Sequence, residues 1–154
     1  MFDDFKNLLS VFNDHDVKYL IVGGYAVSFH AQPRATKDLD IFIKADPANA
    51  EATFAALARF GAPLLGISVS DLSDPTKFIR FGREPIAIDI LAGIDGVDFD
   101  EAWERRIDGA IDPNSGLAAH FISKRDLIAS KIAPGPLRDL ADVEELHDAE
   151  AGPS

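Results

Sequence analysis

The 154-residue chain contains no cysteine, which removes disulfides, thiolate metal sites and cysteine nucleophiles from consideration. Basic residues are scarce: 15 Lys and Arg stand against 26 Asp and Glu, for a net charge of −11. Polyanions are bound through clustered basic side chains, so stable DNA binding is not expected. A transient RNA substrate stays open, because bound magnesium offsets part of a local negative field. No uninterrupted apolar stretch approaches the ~20 residues of a membrane span. The opening MFDDFKNLL lacks a basic segment followed by a long apolar run, so no secretory signal is read. A cytoplasmic protein with no membrane partner is the expectation. What remains is ordinary for a globular chain, with 47% hydrophobic and 27% charged residues. The length suits one domain, placed at residues 1–148, with a flexible tail at 149–154.

One stretch breaks that ordinariness: YLIVGGYAVSFHAQPRATKDLDIFI, residues 19–43. Tyr19 to Val22 is an apolar run that stops at Gly23-Gly24, the pattern of a buried strand ending in a tight turn. Two glycines let the backbone approach a ligand closely and adopt dihedrals that a Cβ forbids. A helix beginning near Tyr25 aims its free N–H groups at that turn, and such an end attracts phosphate. Asp38-Leu39-Asp40-Ile41-Phe42-Ile43 follows. With a side-chain period of two, Asp38 and Asp40 share one face while Leu39, Ile41 and Ile43 take the other.

Aspartate is a poor strand former, so the pair calls for a reason. Adjacent carboxylates repel unless one takes up a proton or a cation sits between them. Oxygen ligands on an open face suit Mg²⁺, which takes one or two carboxylates plus substrate phosphates. Glycine turn and carboxylate pair together imply a nucleoside triphosphate site. An isolated Asp-x-Asp is common, and by itself it reads as a loop cap followed by a solvated edge strand. The coupled Gly-Gly tips the reading toward a site.

The rest of the chain supplies a scaffold. Phe2, Phe5, Leu8, Leu9 and Phe12 recur at helical spacing. Asp46-Pro47 starts a second helix that Gly61 ends. Pro63 to Thr76 reads as a loop or short turns. Residues 77–81 and 86–91 form a hairpin signature around Gly82 to Pro85. On its second strand Asp89 stands among isoleucines, a costly place for an unpaired carboxylate. A short helix is read at Phe99 to Ile107, with Trp103 in the core and Arg105 and Arg106 within reach of a substrate or solvated. Residues 117–122 form a possible strand, and Ser123 to Asp126 open a helix in capping-box fashion.

Gly23-Gly24 and Asp38-Leu39-Asp40 resemble the polymerase-β-type nucleotidyltransferases. More narrowly, Arg34-Ala35-Thr36-Lys37-Asp38-Leu39-Asp40 is similar to the Arg-x-Thr-x-Asp-x-Asp segment of small bacterial minimal nucleotidyltransferases and AbiE-type toxin enzymes. His30 stands where relatives often have glycine, and Gly24 replaces the serine of the Gly-Ser subgroup. Lys131, Pro134-Gly135-Pro136 and Arg138-Asp139-Leu140-Ala141-Asp142 extend the likeness to the C-terminal region. The resemblance implies an α/β (α+β) nucleotidyltransferase fold: a small mixed sheet, helices on one face, and a C-terminal helical hairpin closing the cleft. It implies transfer of a nucleoside monophosphate from an NTP, ATP by expectation, to an acceptor hydroxyl. Asp38, Asp40 and Asp89 would be catalytic and hold two Mg²⁺ ions, while Gly23, Gly24, Arg34, Thr36, Lys37 and Lys131 would bind the nucleotide. The acceptor is tRNA or a partner protein in a toxin–antitoxin system, with the toxin or antitoxin as partner. A small-molecule antibiotic is the second choice, and a degenerate nucleotide-binding or interaction module the third.

Overall fold

A computed structural model describes residues 1–33 and 35–132, without the side chains of Lys131 and Ile132. Arg34, the Lys131 side chain, the expected helical hairpin with its Pro134-Gly135-Pro136 break, and the tail at 149–154 lie outside the described residues.

The described chain runs α1 (Asp3–Asp14), β1 (Tyr19–Val22), α2 (Gly23–His30), β2 (Asp38–Ile43), α3 (Pro47–Phe60), α4 (Val69–Leu72), β3 (Phe78–Phe81), β4 (Ala87–Leu91), α5 (Phe99–Glu104), β5 (Ile107–Asp112), β6 (Leu117–Phe121) and α6 (Lys124–Ile132). The six strands form one mixed sheet in the order β3-β4-β2-β1-β6-β5. β1 pairs antiparallel with β2 and parallel with β6, while β2 runs parallel to β4. The hairpin read at 77–91 is present as the antiparallel β3–β4 pair.

Local chemistry explains several boundaries. The Asp46 side chain accepts a hydrogen bond from the Asn49 amide and Pro47 opens α3, satisfying one of its free N–H groups. Gly61 ends α3 in the left-handed conformation, φ 95°, which costs glycine nothing. Ser68 and Asp71 form a reciprocal capping box that turns four residues of the expected loop into α4. Leu72 of α4 is buried. β5 was not anticipated, and its Ile-Asp-Gly-Ala-Ile-Asp sequence explains why. Gly and Asp are poor strand formers, tolerated here because β5 is an edge pairing only with β6.

The sheet is covered on both faces, which corrects the expectation of helices on one. Tyr19, Ile21, Leu39, Ile41, Ile43, Ile88 and Ile90 pack with Phe5, Leu8, Leu9 and Phe12 of α1 and Ala50, Ala56 and Leu57 of α3. Residues of opposite parity, Leu20, Val22 and Phe42, cluster with Ala26 and Val27 of α2, Phe99 and Ala102 of α5 and Leu127 of α6. Short helices carry too few apolar residues to declare a face from sequence, so the second layer was hidden. Trp103 is half-buried rather than core. Its ring carries the Arg106 guanidinium 3.9 Å from the centroid and meets the His120 ring edge-on. No helix among the described residues is long and apolar enough to cross a membrane.

Candidate active site

Strand alternation decides where the acids point. Leu39, Ile41, Ile88 and Ile90 are locked into the core under α1 and α3, so Asp38, Asp40 and Asp89 must take the opposite face. That face is the one on which Val22, Phe42 and α2 lie. Register then aligns them: Asp40 is the Cα partner of Asp89, Asp38 of Ala87, and Val22 of Asp40. One row, Arg80–Asp89–Asp40–Val22, therefore crosses β3, β4, β2 and β1.

At the end of that row the chain turns from β1 into α2. Gly23 has φ +66° and starts the helix directly. A Cβ on Gly23 would collide with the Asp40 carboxylate, and one on Gly24 would press on Thr36 Oγ1 at 3.1 Å. Gly23 is therefore required by close approach and by its dihedral, while at Gly24 a Cβ would fit only if Thr36 gave way by a few tenths of an ångström. The α2 N-terminus has no side-chain cap, so its leading N–H groups stay available beside the acids. Thr36 stabilises the entry to β2: its hydroxyl donates to the Asp38 carbonyl (3.2 Å) and accepts from the Asp38 amide (3.3 Å). Lys37 is exposed, and its carbonyl accepts from the Ala87 amide, extending the β2–β4 ladder.

The electrostatics are strained by design of the strand register. Burial, followed by the neighbouring Asp89 carboxyl, pushes Asp40 up to about 7. The repulsion between the two neighbouring carboxyls favours the protonated form of Asp40. Asp89 Oδ1 is buried and, among the described residues, lacks a hydrogen-bond partner. Arg80 lies against the row, Nη2 3.6 Å from Asp38 Oδ2 and Nε 3.4 Å from Asp89 Oδ1. Among the described residues no three acidic or imidazole groups are already gathered tightly enough to enclose an ion. The donor set nevertheless fits a divalent cation: an orphaned buried oxygen on Asp89, a second carboxylate at its register partner Asp40, and oxygen donors alone. A cation there would relieve the repulsion that raises Asp40.

Three of the residues singled out earlier, Asp38, Asp40 and Asp89, are thus brought together with Gly23, Gly24 and Thr36. Arg34 and the Lys131 side chain lie outside the described residues. Arg105 and Arg106 are engaged elsewhere: Arg105 grips Asp126 in two hydrogen bonds, and Arg106 lies 3.4 Å from Asp108. Arg80 was missed, because an arginine on a half-exposed strand reads as a solvated group. The signal that could have found it was its place opposite Asp89 in the hairpin. A hollow of about 1120 Å³ lies between α1 and the β5–β6 hairpin, lined by Asn13, Lys18, Trp103 and His120, and none of the three aspartates borders it. Cavity size does not locate the chemistry here.

A family model described as "Nucleotidyltransferase of unknown function (DUF6036)" matches residues 1–147. The chain belongs to that nucleotidyltransferase family. Among solved structures, this family member is similar to the crystal structure of the lincosamide antibiotic adenylyltransferase LnuA, lincomycin-bound. The TM-score is 0.51 and the identity 14%, covering 97% of this chain and 98% of that one. A likeness at that identity establishes the nucleotidyltransferase fold. No curated protein matches the sequence.

Proposed function

We propose that the protein transfers a nucleoside monophosphate from ATP or another NTP to an acceptor hydroxyl, at the face shared by Asp38, Asp40 and Asp89. One observation carries the reading: Asp40 and Asp89 are register partners on one face of the sheet, beside a glycine whose missing Cβ lets the chain come so close to Asp40. Magnesium held by the three aspartates supplies, when bound, positive charge for the phosphates and for the reacting hydroxyl.

The chain's own groups have separable tasks. The free N–H groups at Gly23 and Gly24 meet phosphate oxygens at the start of α2. Thr36 holds the backbone of Asp38 in line, and the exposed Lys37 is assigned to the nucleotide by its position in the Arg-x-Thr-x-Asp-x-Asp segment. Arg34 and Lys131, by the family resemblance, hold the triphosphate. Asp89 takes the acceptor's proton as its oxygen bonds the α-phosphorus. The bond to the β-phosphate breaks and pyrophosphate leaves with the electron pair. Positioning and charge neutralisation account for the rate.

For the acceptor, the Arg-x-Thr-x-Asp-x-Asp segment supports a toxin–antitoxin component acting on tRNA or a partner protein. A second reading, a small antibiotic-like alcohol, is favoured by the similarity to an adenylyltransferase of matching length and by a net charge of −11, which disfavours a polyanion. Incubation with α-labelled ATP, Mg²⁺ and, separately, tRNA, cell protein or lincosamides tests both. Label should enter one acceptor class and vanish with Asp40→Ala. Absence of label in every class, with each of the four nucleotides, would remove the proposal.

A further inference from the structure

Arg80 is the cation that the fold sets against the aspartate row. It sits on β3 as the register partner of Asp89. Its guanidinium reaches two acids on two strands, Asp38 at 3.6 Å and Asp89 at 3.4 Å. Both distances exceed the ~2.7–2.9 Å of a charge-assisted hydrogen bond, and Asp89 Oδ1 stays without a hydrogen-bond partner among the described residues. The Arg80 side chain is 56% exposed and Asp38 51% exposed. Contacts so long, on a side chain so open, are held weakly. An arginine locked in place looks different in this same protein: Arg105 meets Asp126 at 2.7 and 2.9 Å.

We propose that Arg80 is a displaceable internal counter-cation, which neutralises Asp38 and Asp89 in the ion-free protein and gives them up when a divalent metal enters. This rests on the metal-binding reading of the three aspartates and adds a competitor to it. Its consequence is a positioning role: Arg80 keeps the two outer carboxylates from splaying apart, and it weakens metal capture until further ligands, such as the phosphates of a nucleotide, arrive with the ion.

Mn²⁺ binding without nucleotide, measured by electron paramagnetic resonance at an ionic strength of about 0.15 M to screen distant charges, separates the possibilities. Arg80→Gln should bind Mn²⁺ about two- to fivefold more tightly than the native chain, the range expected when a half-exposed ion pair no longer competes. Arg80→Lys should stay near the native affinity, because the positive charge remains. In EDTA, Arg80→Gln should melt at a lower temperature than the native chain. On the unsubstituted protein, the Arg80 Nε–H resonance should move during a Mg²⁺ titration with the same midpoint as metal binding, a readout that holds even if Arg80→Gln fails to fold. Unchanged or weaker Mn²⁺ binding by Arg80→Gln, or an unmoved Nε–H resonance while the native chain binds metal, overturns the role of Arg80 and leaves the metal site standing. If neither protein binds Mn²⁺, both fall together.

Discussion

Two aspartate–arginine neighbourhoods in this protein use the same chemistry to opposite ends. At the α5–α6 contact, Asp126 is 4% exposed and fully served. Arg105 donates to both oxygens, the Ser123 hydroxyl donates at 2.9 Å, and the Asp126 amide donates to Ser123 Oγ at 3.1 Å. Burial alone would push that carboxyl up, but Arg105 and Ser123 outweigh it and hold it below the usual range. At the aspartate row, burial and Asp89 win instead, Asp40 rises to about 7, and Arg80 stays at arm's length. A carboxylate with both oxygens hydrogen-bonded is a joint. One left short of partners is waiting for a ligand.

The sharpest way to break the comparison is to neutralise one acid of each kind. Asp40→Asn should lower nucleotidyl transfer by at least about 10²–10³-fold, the scale of losing one preorganised charge contact. The same change should leave the ion-free protein as stable as before or more so, because a like-charge neighbour is removed; a melting curve in EDTA checks it. Asp126→Asn should do the reverse, lowering stability by about 2 kcal/mol through weakened charged hydrogen bonds, measurable by urea unfolding, with the metal affinity of the row unchanged. Gly23→Ala should be milder in stability, about 1–2 kcal/mol for a side chain forced to positive φ. It should still displace the Asp40 carboxylate, so Mn²⁺ affinity falls with it.

The smallest expected effect is one of slope with pH, and its sign differs between the two places. Asp126 has a folded value below its unfolded one. Its contribution is present above the ordinary carboxylate range near 3.8 and is lost as pH falls through the lower folded value. Asp40 has a folded value raised to about 7. In metal-free buffer its contribution is complete below about 3.8 and is lost as pH climbs through about 7. Melting temperatures in EDTA should thus drift downward from pH 5 to 8 in the native chain, with the drift reduced in Asp40→Asn. Mg²⁺ should flatten or reverse it.

Much of this was legible in the residues because strand alternation is unforgiving. Leu39, Ile41 and Ile43 had to face a core, so Asp38 and Asp40 had to face away from it, and isoleucines 86, 88 and 90 did the same for Asp89. Caps announced α3, since Asp46, Pro47 and Gly61 each act through neighbours in sequence. What stayed hidden depends on partners far along the chain. β5 exists because β6 lends it a ladder, although Asp108, Gly109 and Asp112 argue against a strand. Helices α2 and α5 cover the second face, yet their 8 and 6 residues are too few to display an amphipathic stripe. Arg105 offered no sequence hint that its partner would be Asp126, 21 residues on.

The pairing of Asp40 with Asp89 has a further consequence for how such a centre can be damaged. Sliding β4 by a single residue along β2 would send the Asp89 carboxyl to the far side of the sheet. What forbids the slide is the grip of Ile88 and Ile90 among the side chains of the opposite layer. The two carboxylates of the proposed site are therefore kept in alignment by greasy residues on the other side of the sheet, like type held in line by its backing plate. Loosening that backing would disable the proposed site while Asp38, Asp40 and Asp89 are all still in the sequence.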